Sequence, residues 1–235
     1  MFFPTRGTPY DLRFSLFGIP VTISPFFWVL SGILGFSWLK VEPGGPANLV
    51  AWMLCVLVSI LLHEFGHALT MRAFGHRPEV VLHHFGGYAT YRGRAQETPW
   101  KSLLISVAGP AVQLVLWAVL FFGLVPWLKA TGRMPQSGTP LDATIISLLY
   151  INLFWPIINL IPVLPLDGGR ILWALLAMAG ARNAVDWTMR ISVAVGVGFA
   201  VVCLLMLGSF LAGAMFAFMA MDNYQTLKGQ RFDAS

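Results

Sequence analysis

Two histidines and a glutamate interrupt one of the most apolar stretches of the chain, LVSILLHEFGHALTMRAFGH at residues 57–76. His63, Glu64 and His67 form the pattern HExxH. On a helix, residues four apart stack on one face about one turn apart, so both imidazoles can reach a single ion. Glu64 then stands beside the first ligand, within reach of a water at that ion. Two histidine ligands and a carboxylate base are the working parts of a zinc hydrolase: the ion acidifies water and polarises a carbonyl, and the glutamate carries the proton. The pattern is short, and on a soluble helix the histidines could equally be satisfied by neighbours. Within an apolar run that alternative weakens. A charged residue at mid-bilayer costs about 2.5–3.5 kcal/mol on insertion scales, and such residues face an interior cavity and perform a task. Gly66 and Ala68, interleaved with the polar residues, leave room for another helix to approach.

Two histidines do not complete a catalytic zinc site, which takes three protein ligands and a water. The candidate third ligand is Asp167, in NLIPVLPLDGGRIL, although an aspartate before two glycines can also be only a turn. Glu79, His83 and His84 are rivals, but they stand in a charged loop where polar groups carry little cost. Asn159 lies among Pro156, Pro162 and Pro165, which break the helical hydrogen-bond ladder around it. Its amide can serve the orphaned backbone groups or bind the backbone of an unwound substrate, and both readings stay open.

These residues need elements to hold them, and the composition says what kind. Of 235 residues, 57% are hydrophobic and only 11% charged, against about 25% charged in a soluble domain. So few charges cannot cover a water-facing surface, and a soluble globular class is excluded in favour of a polytopic membrane protein. Apolar runs fall at about 16–39, where Pro20 and Pro25 make the first turns irregular or start the helix later, and at 49–71, 103–128, 143–166 and 191–221, with a shorter one in GGRILWALLAMAGAR. The expected fold is all-α, with five to six membrane segments. The segment EVVLHHFGGYATYRG reads as a short hairpin or re-entrant loop that either pairs edge-on with an extended substrate or only connects two spans. SVAGPAVQL reads as a small-residue packing face, with Gln113 available to hydrogen-bond within the bundle.

The net charge of +5 does not indicate nucleic-acid binding, because the basic residues fall mostly between apolar runs rather than in one patch. Arg72, Arg77, Arg92, Arg94 and Lys101 against Glu79 and Glu97 place the loop after the second run in the cytoplasm. The N-terminus, with Arg6 and Arg13, falls on the same side. That topology sets HEFGH and Asp167 near the cytoplasmic ends of their runs, at matching depth. Cys55 and Cys203 sit within apolar runs and are expected as packing residues, and no secretory signal is evident at the start.

HEFGH at 63–67 and NLIPVLPLDGG at 159–169, in that order and joined by the glycines at 86–87 and AGP at 108–110, resemble the site-2 protease family of intramembrane zinc metalloproteases, peptidase family M50. The resemblance runs from about residue 19 to residue 180. It implies His63, His67 and Asp167 as zinc ligands, Glu64 as catalytic base and Asn159 as a substrate-positioning residue. It also implies a three-helix core around a zinc near the cytoplasmic side of the inner membrane, and single-span membrane proteins as substrates, as in regulated intramembrane proteolysis. Some members carry PDZ or CBS domains. No such domain fits here, so the expectation is a single catalytic domain over 1–235 with its core at about 48–180. The alternatives are an enzyme acting on a lipid or prenyl-modified chain, or a catalytically silent protein that binds metal or membrane segments. A carrier would spread polar residues over staggered depths, and a silent relative would have lost Glu64 or a ligand.

Overall fold

The structure, a computed structural model, describes residues 8–83, 86–91 and 98–232, with the side chains of 230–232 excepted. His84 and Phe85, and Arg6, Arg92, Arg94 and Glu97 of the charge argument, lie outside the described residues. The chain divides into two compact units, one of 1–94 with 108–156 and one of 95–107 with 157–235.

The first unit opens with strands β1 (Leu12–Leu16) and β2 (Ile19–Ile23), joined by a two-residue turn at Phe17 and Gly18. Both turn residues have positive φ, 51° and 74°. That is the turn whose twist matches a hairpin, and Gly18 takes its half without strain. Helix α1 (Pro25–Leu34) follows, then a 3-10 turn, Phe36–Lys40. The run over 16–39 thus has the later helix start expected from its prolines, but as one membrane segment it is corrected to a strand, a helix and a turn. Pro20 and β-branched Val21, Thr22 and Ile23 favour a strand, Pro25 starts a helix at its first position, and Gly35 ends it. Ten residues rise only about 15 Å, half the thickness of a hydrocarbon core.

Helix α2 (Pro46–Ala73) rises about 42 Å over its 28 residues. Its buried stripe contains Ser59, His63, Glu64 and His67, while Val50, Leu54, Val58 and Leu69 are exposed. Polar inside and apolar outside inverts the pattern of a soluble helix and suits a lipid surround. Strands β3 (Pro78–His83) and β4 (Gly86–Tyr91) form the expected hairpin. They complete a four-stranded sheet in the order β1-β2-β3-β4, in which only the β2–β3 pairing is parallel.

Helix α3 (Pro99–Ala118) passes through a π-turn into α4 (Val125–Ala130), and α5 is Pro140–Asn159. Within the first unit three helices are pinned by side-chain hydrogen bonds. Gln113 of α3 donates to the Ser59 carbonyl of α2 at 3.1 Å, and Asn152 of α5 donates to the Ser59 hydroxyl at 2.9 Å. Interhelical hydrogen bonds in a membrane average about 0.6 kcal/mol each, so their value lies in fixing register more than in strength.

In the second unit, α6 (Asp167–Met178) is short, as expected, and α7 (Ala184–Leu205) and α8 (Phe210–Phe232) form an antiparallel pair. Phe199 meets Phe216 at 5.3 Å between ring centroids, and a Cβ on Gly196 would lie 3.1 Å from that of Ala220. The expected single run over 191–221 is thus two helices, turned at Gly208, whose φ is +60°. The core here is Ile161, Val163, Ala200, Cys203, Phe216 and Met219. Cys55 and Cys203 are both buried and free. Among the described residues, four helical stretches are long and apolar enough to cross a membrane: Pro46–Ala73, Pro99–Ala130, Pro140–Asn159 and Ala184–Leu205.

Candidate metal centre

His63, Glu64 and His67 lie within the buried stripe of α2 and are 2%, 4% and 6% exposed. The Nε2 atoms of the two histidines face one another at 3.1 Å, with the rings crossed at 80°. Tetrahedral zinc with Zn–N distances of about 2.0–2.1 Å separates two ligand nitrogens by about 3.3 Å. The pair is therefore already at the spacing of two ligands on one ion. On the far side of His63, Nδ1 lies 2.8 Å from Gln113 Oε1.

Glycines make the room. A Cβ on Gly66 would lie 2.7 Å from the Ala108 carbonyl oxygen and 2.9 Å from the Gly109 Cα, so α2 and α3 touch backbone to backbone at AGP. On Gly109 the added carbon would meet His67 Nε2 and would stand 2.9 Å from His63 Nε2. On Gly87 it would stand 2.7 Å from Glu64 Cγ and 2.9 Å from Oε1. The bare backbone of β4 thus forms one wall beside the Glu64 carboxylate. The small residues that read as packing in the sequence border the imidazoles of His63 and His67.

The same strand geometry removes two rival ligands. Leu82 and Gly87 pair across the hairpin, and their face is the one against Glu64. Side chains alternate along a strand, so Glu79 and His83 point to the other face. His83 lies against Tyr88, 5.4 Å between ring centroids.

Asp167 and Asn159 belong to the second unit. Asp167 is buried, 8% exposed, at the first residue of α6. There the unpaired N–H groups and the helix dipole favour a carboxylate. Gly168 and Gly169 are helical and have a packing reason beyond a turn. A Cβ on Gly168 would run into the Leu160 and Ile161 carbonyl oxygens, and one on Gly169 would stand 2.5 Å from the Leu164 nitrogen. Leu164, three residues ahead of Asp167, is gripped on both sides. Its N–H donates to Ser192 of α7 at 3.0 Å, and its carbonyl accepts from Asn223 of α8 at 2.7 Å. Asn159 is half-buried at the last residue of α5. Pro156 sits within that helix, so only Pro162 and Pro165 fall in the irregular segment that follows.

Sequence reading missed Ser59, Asn152, Ser192 and Asn223 as supports. Ser59 was signalled by its place one turn before His63 on the same face. The other three were single polar residues in apolar runs, with no spacing to name their partners.

The sequence pattern of peptidase family M50 matches residues 51–203, well over half of the chain, and the chain belongs to that family. It is a membrane protein. A Synechocystis protein that carries a zinc metalloprotease name is 34% identical over 179 residues, covering 72% of this chain and 45% of that one. A zinc metalloprotease of Methanocaldococcus jannaschii is 32% identical over 174 residues, covering 72% and 46%. The chain spans a little under half the length of each of these two relatives. The site-2 protease structure from Methanocaldococcus jannaschii shares the fold, with a TM-score of 0.60 over 91% of this chain and 95% of that one at 23% identity.

Proposed function

We propose that this protein is an intramembrane zinc endopeptidase that hydrolyses peptide bonds within or near the transmembrane segment of single-span membrane proteins. Its biological setting is regulated intramembrane proteolysis. The chain works as one catalytic domain with its core at about 48–180, in the inner membrane, with its N-terminus and the opening of its site towards the cytoplasm. The observation that carries the reading is the pair of buried imidazole nitrogens 3.1 Å apart with Glu64 beside them on a membrane-length helix.

His63, His67 and Asp167 hold the zinc in this reading. The histidine spacing suits the ion, glycine at 109 leaves the space in front of both nitrogens clear of a side chain, and two imidazoles with one carboxylate are a donor set typical of catalytic zinc. When bound, zinc supplies a Lewis acid for the scissile carbonyl and acidity for a water. Glu64 takes the proton from the attacking water on a carboxylate oxygen as the carbon–oxygen bond forms. It returns that proton to the amine nitrogen as the carbon–nitrogen bond breaks. Gly87 keeps the carboxylate against β4, and burial keeps bulk water from competing for the proton.

The substrate must be extended, since an intact helix encloses its own carbonyls. β4 is the last strand in the order of its sheet among the described residues, and its outer edge can pair with an unwound segment. Asn159 hydrogen-bonds the backbone of that segment and orients the scissile bond.

The test is zinc content and cleavage by detergent-purified protein, wild type beside Glu64→Gln, with a panel of single-span membrane proteins. Zinc in both, with cleavage lost only in the variant, is the expected result. No zinc in either would overturn the reading, and zinc without cleavage by the wild type would favour a silent binding protein.

A further inference from the structure

Gln113 is fully buried, and both ends of its amide are used. Nε2 donates to the Ser59 carbonyl at 3.1 Å, and Oε1 lies 2.8 Å from His63 Nδ1. A backbone carbonyl only accepts, so the amide nitrogen has to face Ser59 and the amide oxygen has to face His63. An amide oxygen also only accepts, so the proton between it and the imidazole resides on Nδ1. Flipping the amide would set two oxygens against each other at Ser59. Moving the imidazole proton to Nε2 would set a lone pair against Oε1. One arrangement of the amide and of the Nδ1 proton satisfies all four groups, and it leaves His63 Nε2 on the side away from Gln113, facing His67.

We propose that Gln113 is a positioning residue that holds His63 as its Nδ1–H tautomer, with Nε2 presented to the metal. The assignment rests on the zinc reading above and extends it to a residue outside the HExxH and aspartate motifs. Ser59 lies four residues before His63, so its carbonyl belongs to the helical turn that carries His63 itself. The amide therefore spans from the ligand's own backbone to its ring, which leaves the ring little freedom to swing.

An amide in place of a carboxylate also has a physical reason. Zinc with Asp167, Glu64 and two neutral histidines sums to zero charge. A carboxylate at 113 would add an uncompensated charge inside the membrane, where each one is expensive. Gln113 supplies the acceptor without the charge.

The variants are Gln113→Met, which keeps length and loses both polar ends, and Gln113→Glu, which as an uncharged acid keeps an acceptor towards His63 and a donor towards Ser59. Nitrogen-15 histidine spectra of the zinc-free proteins report the tautomer, and with five histidines the His63 signals are assigned by their loss in His63→Gln. Wild type and Gln113→Glu should show Nδ1 protonated, and Gln113→Met should show a mixture. Zinc release to a chelator should be about 10–100-fold faster from Gln113→Met, and within about threefold of wild type from Gln113→Glu. Helix content and the unfolding midpoint serve as controls. Should Gln113→Met not fold, Gln113→Asn, one methylene shorter, is expected to show the same mixture and faster release. An unchanged tautomer with unchanged release in the apolar or shortened variant overturns the proposal. A wild type that binds no zinc removes the zinc reading, and the nitrogen spectra then decide the proton assignment by themselves.

Discussion

The sharpest perturbation of this site is a single methyl group at Gly109. Its carbon would stand 2.9 Å from His63 Nε2, where ordinary contact begins at about 3.4 Å, and closer still to His67 Nε2. The two nitrogens must retreat by at least about 0.5 Å, more than twice the ~0.2 Å tolerance of a metal–ligand distance. Retreat is hindered for His63, whose other nitrogen is held at 2.8 Å by Gln113 in a fully buried setting. Alanine is the better helix former by about 1 kcal/mol, so α3 itself gains from the change. Gly109→Ala should therefore keep its helix content and lose zinc affinity by at least about tenfold, or ~1.4 kcal/mol. Zinc titration against a competing chelator, with circular dichroism on the same samples, reads both quantities. Wild-type affinity at full helix content would refute the claim that the missing side chain at 109 keeps the metal's place.

Gly87→Ala acts on Glu64 in place of the two histidines. With its carbon 2.7 Å from Glu64 Cγ, zinc content should stay at the wild-type level while turnover falls by about 10²-fold, as misplacement approaches 1 Å. Metal analysis beside cleavage rates would separate this from Gly109→Ala. Asn223→Ala removes the donor to the part-buried Leu164 carbonyl, a hydrogen bond worth about 0.5–1.5 kcal/mol. The unfolding midpoint in denaturant should drop accordingly, and an unchanged midpoint would show that Asn223 does not secure the segment ahead of Asp167.

Much of the site was legible because its residues violate the local chemistry around them. HEFGH stands out in an apolar run because three ionisable groups there are expensive to bury without a task. The β3–β4 hairpin was legible from the glycines at 86–87 between alternating residues. Helices α2, α3, α5 and α6 also fell near their expected places. In the run over 16–39, Pro20 and Pro25 signalled an irregular or later start, but the strand before Pro25 and the end of the helix at Gly35 were not legible from hydropathy, which only counts apolar residues. The run over 191–221 misled for the same reason at Gly208, where the backbone reverses although the composition hardly changes.

By itself the sequence determined the membrane class, the spacing of His63 and His67 on one helix face, and the place of Glu64 beside them. These follow from composition and from the 3.6-residue period, which need no distant partner. Tertiary structure alone decided what surrounds them. It sent Glu79 and His83 to the far face of β3, set Gly87 against Glu64 and Gly109 against the two histidines, and joined Gln113 to His63 across fifty residues of chain. A lone amide in an apolar run can bond to any helix that comes near, and only packing chooses which one does.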